Sequence, residues 1–197
     1  MKVTGFTFIC NAVKNDYPII EAIQSILPVC DEFVVAVGKS EDETLSLIKN
    51  INSPKIRIIE TVWDNSLREG GKTFAIETDK AYAAISDDTD WAFYIQGDEC
   101  VHEKYLSVIK KAMEDNLDDK KVEGLLFKYL HFYCEECTLM TNNILNFIGV
   151  IFVVPFPFFY HILSEFVLSW SWLKYEIKSF TSIYSSKGIL FFVIHFV

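Results

Sequence analysis

Asp90-Trp91-Ala92-Phe93-Tyr94-Ile95-Gln96-Gly97-Asp98-Glu99 decides how the rest of this chain reads. Residues 91–95 are apolar without a break, the pattern of a strand covered on both faces. Two adjacent carboxylates follow at once, on a loop opened by Gln96 and Gly97. A strand covered on both faces belongs to a mainly parallel sheet flanked by helices. Such sheets bind ligands in the crevice beyond the carboxyl ends of their strands. Asp98 and Glu99 fall at such an end. Hard divalent cations take carboxylate oxygens and leave positions open for substrate phosphates, so the pair is a candidate metal site. A solvated acidic turn is the plainer alternative.

Working outward, the same architecture recurs. Residues 2–10 alternate and then run apolar through Val3, Phe6, Phe8 and Ile9, as a buried strand does. Asp16 is placed to cap a helix, with Pro18 in its first turn. Ile19, Ile20, Ile23, Ile26 and Leu27 follow at helical spacing, and Pro28 stops the run. Residues 33–37 are a second apolar strand. Ser40-Glu41-Asp42-Glu43 has the S-x-x-E form of a capping box and opens a helix through Leu45, Leu47 and Ile48. The pattern predicts further strands over 56–62, 91–95 and 122–133, and helices over 70–86 and 102–116. Strands alternating with helices mean βαβ units, hence an α/β fold. The crevice should then be lined by residues 11–14, 38–42, 62–65 and 96–99.

Other spacings carry less. Gly70-Gly71-Lys72-Thr73 lacks the earlier glycine of a P-loop, since position 66 is Ser66. Lys72 offers a single cation to a phosphate; the plainer reading is an exposed helix start. His131-x-x-Cys134-x-x-Cys137 supplies three zinc-type ligands without a fourth. The net charge of −9, with only two Arg, argues against a nucleic-acid coat. Residues 1–10 have no small-residue cleavage site, so the expectation is a cytoplasmic domain whose five cysteines are free thiols.

Taken together, residues 3–133 resemble the family 2 glycosyltransferases, whose GT-A fold binds nucleotide-diphospho-sugars. Phe8-Ile9-Cys10-Asn11 is similar to the family's first strand and its asparagine end. Glu21-Ala22-Ile23-Gln24-Ser25-Ile26-Leu27-Pro28 resembles the E-x-x-x-S-I-L-P helix. The stretch 38–44 looks like the D-G-S-x-D-x-T turn, and 90–99 like the strand that ends in a DxD-type metal motif. The resemblance implies a divalent cation, Mn2+ or Mg2+, on Asp98 with Glu99 beside it. It implies a nucleotide-sugar site made by Asn11, Gly38, Ser40, Asp42, Lys72, Gln96 and Asp98. The implied partners are a nucleotide-diphospho-sugar donor and an unidentified glycan or lipid acceptor. Two positions depart from the pattern: Val37 stands where an acid is expected before the glycine turn, and Gln96 replaces the first acid of the DxD.

Composition breaks near Tyr133. Residues 134–197 hold four Glu, three Lys and ten of the 17 Phe, and no Ala, Asp, Arg or Gln. They begin where the family's acceptor-binding half, with its catalytic base, is expected, so no catalytic residue is assigned. The expectation is therefore a partial GT-A domain over 1–133 and a hydrophobic tail over 134–197. Residues 144–163 are long enough to span a bilayer, although Pro155 and Pro157 interrupt them. That reading holds the chain at the inner face of a membrane. The competing reading is an AT-rich gene read out of frame, a truncation of the family fold. The break falls inside that fold, which favours the second, and it predicts that the tail adds no specific contacts.

Overall fold

A computed structural model of the chain describes residues 1–67, 71–120, 122 and 124–127, and beyond them the backbone of 132–133, 138–139, 152–155, 179–184 and 190–195. In chain order it contains β1 (Val3–Ile9), α1 (Ile19–Ile26), β2 (Glu32–Gly38), α2 (Thr44–Lys49), β3 (Ile56–Thr61), α3 (Lys72–Ala83), β4 (Trp91–Tyr94) and α4 (Leu106–Asp115). The strands β5 (Leu125–Phe127), β6 (Phe132–Tyr133), β7 (Thr138–Leu139), β8 (Phe152–Pro155), β9 (Ser179–Tyr184) and β10 (Leu190–His195) follow.

The large sheet runs β3-β2-β1-β4-β8-β5-β10-β9. Its first four strands are parallel: Phe6 of β1 lies opposite Val34 on one side and Tyr94 on the other, and Phe33 faces Ile56. Strand order reverses between β1 and β4, because β2 and β3 stack to one side of β1 and β4 to the other. That reversal is the topological switch point, where two crossover connections leave in opposite directions and open a crevice.

Period-two alternation sorts the side chains into two layers. Val3, Ile9, Phe33, Val35, Val37, Trp91, Phe93 and Ile95 pack with Ile19, Ile23 and Ile26 of α1, Ile48 of α2, and Ile109 and Met113 of α4. Phe6 and Tyr94 point the other way, and Phe6 meets the Tyr82 ring of α3 edge-on at 5.6 Å. Burying side chains of this size contributes about 1.5–3 kcal/mol each. Gly5 leaves room for this packing, since a Cβ there would sit 2.5 Å from Phe33 Cδ2 and 2.9 Å from Cys30 Sγ.

Four expectations need correction. Asp16 does not cap α1; it sits at φ 54°, and α1 begins after Pro18 with no side-chain cap. Ser40 does not cap α2 either. That helix starts at Thr44, three residues too late for the Ser40 hydroxyl to reach its first amides, and Asp42 takes the Thr44 amide at 3.0 Å. The strand predicted over 122–133 is divided: β5 joins the large sheet, whereas β6 pairs with β7 in a separate ribbon, Phe132 opposite Leu139. Nor is the tail without specific contacts. The β-prone run of β8 enters antiparallel between β4 and β5, Ala92 opposite Val154 and Leu126 opposite Phe152. β8 is also the only described part of the predicted membrane span 144–163. Among the described residues no helix is long and apolar enough to cross a membrane. The His131, Cys134 and Cys137 cluster lies outside the described residues; Cys10, Cys30 and Cys100 are free thiols.

Candidate functional site

The carboxyl ends of β1 to β4 gather the four short segments expected there. Gly97, after β4, lies against β1 and α1: a Cβ on it would be 2.9 Å from Ile9 Cδ1 and 3.4 Å from Ile19 Cδ1. One residue beyond Ile9, Cys10 borders Gly38 at the end of β2, 3.0 Å from where a Cβ on that glycine would be. Trp63, after β3, covers the same glycine, 2.7 Å from that point through its Cδ1.

The loops after β1 and β2 are laced together by short polar side chains. Asn11 takes a positive φ of 53°, a conformation asparagine tolerates better than most residues. This turns its amide to donate to Ser40 Oγ at 3.0 Å and its Oδ1 to accept from the Glu41 amide at 2.8 Å. Ser40 Oγ in turn donates to the Gly38 carbonyl at 2.9 Å. Asp42 accepts from the Lys14 amide at 2.8 Å and from the Thr44 amide and hydroxyl. Burial pushes the Asp42 carboxyl up, but these bonds outweigh it and hold the group below the usual range. Asn11, Ser40 and Asp42 are thus brought together, and most of their hydrogen-bonding capacity is spent on each other and on neighbouring amides. The loop that the sequence reads as a cap is a brace between two crevice walls.

At β4 the loop closes on itself. Glu99 Oε2 accepts from the Gln96 amide at 2.9 Å, and the Glu99 amide donates back to the Gln96 carbonyl at 3.2 Å. Burial pushes the Glu99 carboxyl up to about 7, the Gln96 amide pulls it down, and the neighbouring Asp98 charge pushes it up again. Asp98 and Gln96 are exposed. Lys72, the first residue of α3, is exposed after the left-handed Gly71 at φ 75°.

Among the described residues no three His, Cys, Asp or Glu groups converge as a protein-only cage. Asp98, with Glu99 once deprotonated, supplies one or two carboxylates. That number suits a cation whose remaining ligands are substrate phosphates and water, so the residues fit a site completed by its substrate.

Sequence reasoning passed over Glu77, and placed Trp63 only as a member of the crevice segment 62–65. Glu77 of α3 is 1% exposed; it accepts from the Thr61 hydroxyl at 2.6 Å and pairs with Lys80 at 2.6 Å. Trp63 joins Phe8 and Phe74 in a ring cluster, with centroids 5.7–5.9 Å apart. An exposed-looking helix hid Glu77, and nothing local marks Trp63 as facing Gly38. A recess of about 330 Å³, lined by Ile48, Lys49, Asn52, Pro54, Ile56 and Ile58, lies at the opposite, amino-terminal edge of β3.

No protein-family model and no curated protein matches the sequence. Solved structures are similar in fold. S. aureus TarS 1-349 is 16% identical with a TM-score of 0.47, over 74% of this chain and 38% of that one; it has also been solved with UDP and with UDP-GlcNAc. Glucosyl-3-phosphoglycerate synthase from Mycobacterium tuberculosis, in complex with Mn2+, UDP and phosphoglyceric acid, is 20% identical with a TM-score of 0.43, over 65% and 43%. A 4-diphosphocytidyl-2C-methyl-D-erythritol synthase from Anaerococcus prevotii is 10% identical with a TM-score of 0.52, over 90% and 78%. The chain spans about 38% of the length of TarS 1-349. The likeness to the erythritol synthase supports the fold, a Rossmann-like sheet with helices on both faces.

Proposed function

We propose that this chain is a metal-assisted glycosyltransferase of the family 2 type, taking its sugar from a nucleotide-diphospho-sugar. One observation carries the reading: Asp98 and Glu99 stand at the carboxyl end of β4, on the loop that meets β1 at the topological switch point. The resemblance of residues 3–133 to the family supports it.

In this reading Asp98 and deprotonated Glu99 would hold Mn2+ or Mg2+ together with the donor's diphosphate. Bound there, the cation would supply Lewis-acid stabilisation of the leaving diphosphate. The brace of Asn11, Ser40 and Asp42 keeps the loops after β1 and β2 at a set separation, so the nucleoside end meets a rigid wall. Lys72 presents its ammonium to a phosphate from the start of α3. The Gln96 amide holds Glu99 against the loop. The reaction is displacement at the anomeric carbon by an acceptor hydroxyl, with a glycan or lipid as acceptor.

Titrating UDP and GDP with Mn2+ into wild type and Asp98→Ala by calorimetry tests the site. The variant should lose at least tenfold in metal-dependent affinity; unchanged affinity and metal dependence would remove Asp98 from it. A second reading, a catalytically silent binder, is favoured by Gln96 and Val37 standing where the family has acids. Release of free sugar from the donor by the wild-type chain would count against that reading.

A further inference from the structure

We propose that the Trp63 indole is a gate over the nucleoside end of the site, and that a nucleotide enters by turning it aside. The inference rests on the nucleotide reading above.

The indole lies directly on Gly38, one of the residues expected to face the nucleoside, and fills the space a side chain would take there. Its Nε1–H is buried against this surface and has no hydrogen-bond partner among the described residues. A buried donor left unmade costs about ten- to a hundredfold in an equilibrium constant. The covering position therefore carries a built-in penalty, offset by ring packing on Phe8 and Phe74. That packing is itself at the surface. Phe74 is 50% exposed and Val62, which precedes Trp63, is 71% exposed, so the ring cluster borders solvent.

The backbone on either side is held. Before Trp63, Thr61 is clamped to the buried Glu77, and Lys80 Nζ reaches the Val62 carbonyl at 3.5 Å. After it, Asp64 accepts from the Ser66 amide and hydroxyl at 2.9 and 2.6 Å, while the Thr73 hydroxyl proton is shared between the Leu67 carbonyl at 3.1 Å and the Asp64 carbonyl at 3.3 Å. With both flanks pinned, the motion is a side-chain rotation about an anchored Cα. Turned out, the indole N–H reaches water or a ligand carbonyl, and the Gly38 backbone is uncovered. This arrangement also gives Gly38 a reason to be glycine at an ordinary φ: a Cβ would hold the gate open.

The full chain labelled with 5-fluorotryptophan tests this, with the Trp63 signal assigned by its loss in Trp63→Phe. Saturation with UDP or GDP in the presence of Mn2+ should move that 19F signal towards its solvent-exposed value. In stopped-flow mixing, Trp63→Ala should associate with the nucleotide at least tenfold faster than wild type. Trp63→Phe, which has no donor to leave unmade, should associate no faster than wild type. A Trp63 signal unmoved at saturation overturns the gate and leaves the nucleotide site intact. So does a folded Trp63→Ala that associates at the wild-type rate. If Trp63→Ala does not fold, the 19F shift in the wild-type chain decides alone. Wild type that binds neither nucleotide refutes the proposed function, and the gate with it.

Discussion

Replacing Glu99 by Gln should stabilise the protein at alkaline pH and leave it nearly unchanged in mild acid. The folded loop holds the Glu99 carboxyl at about 7, against 4.5 for the free group. A carboxyl raised on folding is protonated in the folded chain while the unfolded chain has already lost its proton. Between these two values the native state binds more protons, so stability falls as pH rises and levels off above about 7. Below the unfolded value both states are protonated and the group costs nothing. Each pH unit between the two values corresponds to about 1.36 kcal/mol, so the ceiling is about 3 kcal/mol. Glu99 is only half-buried, and solvent screening brings the expected figure to about 1–2 kcal/mol. Glutamine keeps an oxygen for the Gln96 amide and removes the charge. Urea unfolding of both proteins at about pH 4.5 and about pH 8 gives the comparison, in which other titrating groups cancel. The gap should open only at the higher pH, and Mn2+ with UDP should narrow it by stabilising the charged form in the wild type. A gap of the same size at both pH values would refute the desolvated-loop argument.

Three further outcomes follow from the contacts. Ser40→Ala should cost about 1 kcal/mol by breaking the bonds to the Asn11 amide and the Gly38 carbonyl; amide exchange should speed at Asn11, whereas faster exchange confined to the first turn of α2 would restore the capping assignment. Glu77→Ala should lower the melting temperature by removing about 1–3 kcal/mol, since Thr61 and Lys80 lose their shared acceptor at the end of β3; an unchanged melting curve would contradict the clamp. A chain ending just after Tyr133 removes β8 from between β4 and β5 and exposes both edges, so it should aggregate at concentrations the full chain tolerates. Equal solubility and melting of the two chains would return the tail to the out-of-frame reading.

The parallel half of the fold was legible because it is written in local patterns. Unbroken apolar runs such as Phe33 to Val37 and Trp91 to Ile95, short and rich in β-branched and aromatic residues, read as strands covered on both faces, and helices of period 3.6 between them favour parallel crossovers. From that alone the carboxyl ends of the strands, and with them Asn11, Gly38, Asp98 and Glu99, could be placed at one end of the sheet. Local pattern could not say which partner a polar side chain would choose. Ser40 has the spacing of a cap, yet it bonds to Asn11, 29 residues away, because the parallel register of β1 and β2 sets their loops side by side. Burial at the β4 loop likewise depends on the walls around it, so the raised Glu99 carboxyl is a property of the assembled crevice. The meeting of Trp63 with Gly38 is of the same kind. Secondary structure follows from neighbours in the chain, whereas the chemistry of a site follows from neighbours in space, and those exist only once the sheet has closed.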